Sequence, residues 1–145
     1  MREILFRGKH SEKSRWDYGD LYIDHDKVYI GMRETMHGVR VHGEVIPDTV
    51  GQYTGLTDKN GKKIFEGDIV RFSLITGRSL VPQGLRQVTF SAGSFMIEDP
   101  YSGDDETISR IAASVEFEVV GNIHDNPDMI ADYVQSVRQE LMEDE

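Results

Sequence analysis

Residues 44–72 read EVIPDTVGQYTGLTDKNGKKIFEGDIVRF, and this stretch limits the fold more than any other. Two turn signals sit inside it, Asp58-Lys59-Asn60-Gly61 and Glu66-Gly67-Asp68. Each precedes a short run rich in β-formers, Lys63-Ile64-Phe65 and Ile69-Val70-Arg71-Phe72. Asn-Gly between extended segments is the strongest short-range hairpin signal, because both central residues of a type I′ turn need positive φ. The Gly-Asp start of the Ile69 run is of a kind common in small SH3-like barrels.

The same grammar recurs along the chain. Residues 2–8 read as a first strand. Residues 16–23 and 27–32 read as a hairpin closed by Asp24-His25-Asp26. Val39-Arg40-Val41-His42 alternates apolar and polar side chains, as a half-buried strand does, and Pro47 closes that region. Further strands are predicted over 52–54, 63–65, 69–74, 87–90, 95–98 and 115–123, with a tight turn at Ser91-Ala92-Gly93. Many short strands with frequent Gly and Asn/Asp turns point to a barrel or meander and away from βαβ units. Residues 76–85, carrying Gly77, Pro82 and Gly84, form the widest irregular stretch, and residues 100–107 a second loop.

Asn126-Pro127 announces a helix: Asn is a preferred N-cap, and Pro is tolerated at N1, where its missing N–H would be unpaired anyway. Asp128 favours the first turn through the helix dipole. Ile130, Tyr133, Val134, Val137 and Leu141 recur at spacings of three and four, giving one apolar stripe. That stripe must bury against the protein's own strands or against another chain.

Size and charge bound the rest. At 145 residues the chain suits one domain, or a barrel with a small appended subdomain. Its aromatic residues argue against disorder. The absence of cysteine excludes disulfides, thiolate catalysis and Cys-ligated zinc, and fits a reducing cytoplasm. With Arg2, Glu3 and Arg7 and no long apolar run near the first residues, no secretion signal is expected, and no window approaches the ~20 apolar residues of a membrane span. A cytoplasmic protein without membrane contact is expected. The net charge of −10 is unevenly spread: residues 1–90 carry 14 Lys and Arg against 12 Asp and Glu, residues 91–145 two against 14. Such asymmetry suits electrostatically steered contacts or plain solubility.

The wording of the central stretch is distinctive. Val45-Ile46-Pro47-Asp48-Thr49-Val50-Gly51-Gln52-Tyr53-Thr54-Gly55-Leu56, then Asp58-Lys59-Asn60-Gly61-Lys62 and Ile64-Phe65-Glu66-Gly67-Asp68-Ile69-Val70, closely resemble the YopX family of phage and prophage proteins. The opening Met1-Arg2-Glu3-Ile4-Leu5-Phe6-Arg7, the Trp16…Tyr18-Gly19-Asp20-Leu21 element and the closing Val120-Gly121-Asn122-Ile123-His124-Asp125-Asn126-Pro127 are similar to that family too. The resemblance implies a mostly β fold with an SH3-like barrel component and a mobile-element origin. It supplies no catalytic residues. The expected organisation is an N-terminal β subdomain over 1–49, an SH3-like barrel over 50–125 and a C-terminal amphipathic helix over 126–145.

No constellation carries recognisable chemistry. On a strand His42 and Glu44 share a face while His37 points oppositely, so the three do not build a metal site. His124 beside Asp125 is of the residue type used in acid–base chemistry near neutral pH, but capping and turn chemistry account for its place. Asp104, Asp105 and Glu106 lack the ligand spacing of a calcium loop. There is no phosphate-binding glycine loop and no nucleophile motif. No enzyme, cofactor or metal is expected. Lys62, Lys63, Arg78 and Arg86, with interleaved phenylalanines, are the candidate nucleic-acid contacts, although a pI of 4.9 is on the wrong side for that use. The favoured expectation is an accessory protein acting by contact with a host or phage protein or by homo-oligomerisation, with Ile130, Tyr133, Val134, Val137 and Leu141 as its interaction helix. The alternative is a nucleic-acid-binding SH3-like module using a basic loop at 78–86.

Overall fold

The computed structural model describes residues 1–31 and 42–144. It is mostly β, 53% strand and 18% helix, and its strands form antiparallel sheets. Two compact units divide the chain, Met1–Leu56 and Thr57–Glu145, so residues 126–145 belong with the second unit. Among the described residues no helix is long and apolar enough to cross a membrane.

The first unit holds β1 (Phe6–Lys9), β2 (Trp16–Asp24), β3 (Lys27–Gly31), β4 (His42–Val45), a 3-10 turn (Pro47–Thr49) and β5 (Gly51–Thr57). Its strands lie in the order β4-β3-β2-β1-β5. The β2–β3 hairpin forms where Asp24-His25-Asp26 signals it, with Asp24 opposite Lys27 and His25 at a φ of 57°. Ile30 and Val45 are buried, as alternation along a half-buried strand requires. The Thr49 hydroxyl donates to the Ile46 carbonyl at 2.6 Å and accepts the Lys9 amide at 2.9 Å, tying the 3-10 turn to β1. The buried Arg7 guanidinium stands 4.8 Å from the Trp16 ring centroid, a cation–π contact. Residues 39–41 of the predicted alternating strand, and His37, lie outside the described residues.

The second unit comprises β6 (Lys63–Phe65), β7 (Asp68–Thr76), β8 (Ser79–Ser91), β9 (Ser94–Glu98), β10 (Asp105–Thr107), α1 (Ile108–Ile111), β11 (Val115–Asn122) and α2 (Pro127–Glu143). Its sheet runs β10-β9-β8-β7-β11. Ile69, Val70, Val88, Ile97, Val115 and Phe117 form its buried core with Ile64 and Phe65. Phe117 faces Phe72 directly across β11 and β7, with ring centroids 6.0 Å apart. The turn at Ser91-Ala92-Gly93 forms as the sequence predicts, Ala92 and Gly93 both taking positive φ, 51° and 79°. That is the pair of dihedrals a two-residue hairpin turn needs.

Three expectations differ from what the strands show. First, among the described residues the sheets are not closed, so the expected SH3-like barrel component is not confirmed. In the second unit β11 adds to the edge of β7, while β10 stays at the far edge beyond β9. Turn signals tell where strands end; they do not tell whether the outermost strands meet. Second, residues 76–85 are not an irregular loop. Thr76 pairs with Ser79 around a two-residue Gly77-Arg78 turn, and the ladder continues through Leu74–Val81 and Ser73–Pro82. Pro82 is tolerated because β9 pairs only with residues 87–91, which leaves this part of β8 a free edge. The ladder shifts register between Arg71 and Ser73, a bulge that Gly84 accommodates at a φ of 90°. Third, the Asp58 turn is not type I′. Gly61 alone takes positive φ, and its amide bonds the Asp58 carbonyl at 3.0 Å while the Asp58 amide bonds that of Lys62 at 2.7 Å. This is the three-residue loop with a glycine bulge.

Candidate functional site

The second unit contains a half-open cleft of about 560 Å³. Its apolar floor is Phe72 from β7, Ile97 from β9 and Ile111 from α1. Asp99, Asp104, Asp105 and Glu106 supply an acidic rim. Elements far apart in sequence converge here because β8 and β9 form a tight hairpin and the 99–104 loop leads straight into β10.

The rim is held by its own backbone. Asp99 Oδ1 accepts the Tyr101 amide at 2.9 Å, an Asx turn. The Asp99 amide donates to the Asp104 carbonyl and that of Gly103 to the Asp99 carbonyl, both at 2.8 Å. The Asp104 amide donates to Ser102 Oγ at 3.1 Å. The loop is therefore built without using the Asp104, Asp105 or Glu106 carboxylates, which are exposed and have no ion pair among the described residues. No group of three or more His, Asp or Glu side chains among the described residues is placed to hold a metal ion.

Arg86 sits at the back of this cleft as a clamp. Its side chain is only 16% exposed, and Nη2 stands 3.8 Å from Asp99 Oδ2. Nη1 donates to the carbonyls of Leu85 at 2.9 Å and Gln83 at 3.1 Å, and more weakly to the Tyr133 hydroxyl at 3.4 Å. Cζ lies 5.1 Å from the Phe72 ring centroid. One guanidinium thus joins β8, the rim loop and α2. Tyr133 reaches it by crossing Gly84, where any Cβ would collide with the tyrosine ring. Positive φ and close approach both call for glycine at this position.

The residues singled out in the sequence do not gather into one basic surface. Lys62 and Lys63 are exposed at the end of the Asp58 turn. Arg78 occupies the tip of the β7–β8 hairpin, and Arg86 lies eight strand residues away, about 25 Å at the usual rise. The neighbouring cations face acids: Lys59 Nζ lies 3.3 Å from Glu118 and 3.7 Å from Glu116, and Arg71 bonds Glu118 at 3.1 Å. On α2, Ile130, Tyr133, Val134 and Val137 are half-buried, while Leu141 is 48% exposed. Asn126 is the N-cap residue by position, but its side chain points back and accepts the Asn122 amide at 3.1 Å instead of capping the helix. His124 lies in a turn organised by Asn122 Oδ1, which accepts the amides of His124 and Asp125. His37 is outside the described residues, as is the side chain of His42. Ile97 and Ile111 carried no signal in the sequence, since each reads as an ordinary core residue of its own element, and Phe72 figured only among the phenylalanines interleaved with the candidate cations.

A second polar device lies away from the cleft. Asp58 Oδ1 accepts the amides of Asn60 and Lys62, and Oδ2 accepts that of Val119, all at 2.9 Å. Burial by itself raises this carboxyl's pKa, but the three amides and the nearby Lys62 charge outweigh it and hold the group below its ordinary 3.8. Asp58 is 8% exposed and fastens the turn to β11.

A model of the YopX protein family matches residues 5–131. The chain belongs to the YopX family. The match covers β1 to the first turn of α2, and so includes both the Asp58 turn and the cleft of this YopX-family member. No curated protein matches the chain. Among solved structures, the crystal structure of protein EF1440 from Enterococcus faecalis is similar to it, with a TM-score of 0.56 over 90% of this chain and 99% of that one. At 20% identity this likeness concerns the fold alone.

Proposed function

We propose that this YopX-family chain is a non-enzymatic accessory protein of a phage or integrated element, acting in the host cytoplasm by docking a protein segment in the cleft of its second unit. The observation that carries this reading is the pairing of an apolar floor with three carboxylates that take no part in holding the loop. Apolar area gives affinity and unmatched rim charge gives orientation, the usual division at protein interfaces. The chemistry favours a segment with a Lys or Arg beside one or two aliphatic residues. The half-buried part of the α2 stripe, joined to the cleft through Tyr133 and Arg86, supports the same face.

The test is fluorescence anisotropy with a labelled ten-residue peptide alternating Lys and Leu, against its Glu/Leu counterpart. Binding of the basic peptide, weakened at least about tenfold in the Asp104→Lys/Asp105→Lys variant and by added salt, is the expected result. Equal binding of both peptides, or none, overturns the reading.

Exposed Lys62, Lys63 and Arg78 favour a second reading, a nucleic-acid contact. It has less support, because Arg86 is already engaged by five neighbours and the cations beside β11 are matched by Glu116 and Glu118.

A further inference from the structure

The β7–β8 hairpin tip has the chemistry the cleft lacks. Ile75, Leu80 and Val81 are 47%, 50% and 41% exposed, and Arg78 stands exposed at the turn between them with no ion pair among the described residues. Ile75 and Leu80 are directly opposed across the ladder, as are Leu74 and Val81, so each face of the arm carries an aliphatic pair behind one cation. β11 stops short of this arm: its ladder with β7 ends at Val115–Leu74, followed by a single bond from the Ile75 amide to the Ser114 carbonyl. A cation beside exposed aliphatics is the complement of carboxylates around an apolar floor. The two surfaces belong to one unit and cannot meet within one molecule. Phe72 of the floor lies on β7 and Arg78 in the turn that ends this strand, about 20 Å further on, and a paired hairpin does not fold back on itself.

Resting on the docking reading above, we infer that the cleft of one copy takes the hairpin tip of a second copy, with Arg78 among Asp104, Asp105 and Glu106 and the aliphatic pairs against Phe72, Ile97 and Ile111. Tip and cleft are different surfaces, so the contact is head-to-tail and each copy uses both. Assembly then grows into a ring or an open chain and does not stop at a dimer. A tip in a cleft buries less than a standard interface of about 1,600 Å², the size class of weak, transient contacts.

Sedimentation velocity on the full chain in low salt, from about 1 to 300 μM, tests this against the 16.5 kDa monomer. The weight-average mass of the wild type is expected to rise with concentration and pass that of a dimer. Arg78→Glu, Leu80→Ser and Asp104→Arg/Asp105→Arg should each weaken association at least about tenfold, with unchanged circular dichroism. All these positions are exposed, so folding is not at stake. Combining Arg78→Glu with Asp104→Arg/Asp105→Arg in one chain restores opposite charges across the contact and should recover most of the association. A wild type that stays monomeric throughout overturns self-docking. So does association indifferent to Asp104→Arg/Asp105→Arg, which is the signature of tip-to-tip pairing. If the wild type stays monomeric while the basic peptide still binds, the docking reading stands with another partner; if neither binds, both fall.

Discussion

Two turns of the second unit each rely on a glycine of positive φ and end in opposite states. At Asp58-Lys59-Asn60-Gly61 the first residue turns inward, and its carboxylate accepts three amides, one of them Val119 on a strand 61 positions away. At Thr76-Gly77-Arg78-Ser79 the ladder closes just as tightly, yet every side chain from Ile75 to Pro82 is exposed. A glycine with positive φ serves both, at Gly61 and Gly77. Local turn chemistry decides that the chain reverses. A long-range hydrogen bond to a buried acceptor decides whether the reversal becomes part of the core or projects as an arm.

Breaking the first turn should have the largest effect. Asp58→Ala leaves the Val119 amide without its acceptor and the turn amides to water, a loss of about 2–4 kcal/mol in denaturant unfolding. Asp58→Asn sharpens the point, because its amide nitrogen donates and cannot accept, so either the turn amides or the Val119 amide lose their acceptor. The pH dependence then separates charge from shape. Asp58 has a depressed folded pKa, so its contribution is complete above the unfolded value near 3.8 and is lost as pH falls through the lower folded value. The stability gap between wild type and Asp58→Asn should therefore be constant from pH 7 to about 5 and narrow below about pH 4. A gap that is unchanged at pH 3 means the charge contributes nothing.

The intermediate case is Gly84, where arm and body meet. Gly84→Ala forces a Cβ into the Tyr133 ring and strains a φ of 90°. The expected cost is about 2 kcal/mol. Amide exchange should rise first along α2, whose described residues are nowhere buried, and much less in β7 and β11. Tyr133→Phe keeps the ring and removes only the weak acceptor for Arg86, so it should cost under about 1 kcal/mol.

What could be read beforehand follows the same division between local and long-range causes. The β2–β3 and β8–β9 hairpins were legible because Asp24-His25-Asp26 and Ser91-Ala92-Gly93 signal a reversal between β-forming runs. The 127–143 helix was legible from Pro127 and the spacing of its stripe. The arm was not: Pro82 and Gly84 read as breakers, and only the free edge of β8 and the bulge opposite Phe72 make them acceptable within a strand. The cleft was not legible either. Phe72, Ile97 and Ile111 come from three elements, and Arg86 reads as a surface cation until Asp99, Leu85, Gln83 and Tyr133 surround it. The acidic run at 104–106 was visible, but its apolar floor was not.

The smallest stability effect should fall on the arm itself, and that small effect gives the comparison its functional meaning. Leu80→Ser removes an aliphatic side chain that the folded monomer leaves half in water, so little burial is lost and the unfolding free energy at low concentration should change by less than about 0.5 kcal/mol. Asp58 serves the fold, and its replacement should be felt at every concentration. Leu80, Ile75 and Arg78 are exposed in the folded molecule, so burial supplies no fold-level reason for an apolar, cationic tip. A loss of more than about 1 kcal/mol for Leu80→Ser in the dilute monomer would place the arm within the cooperative core and remove the case for an exposed docking element. A neutral result would leave contact with another molecule as the role that accounts for these side chains.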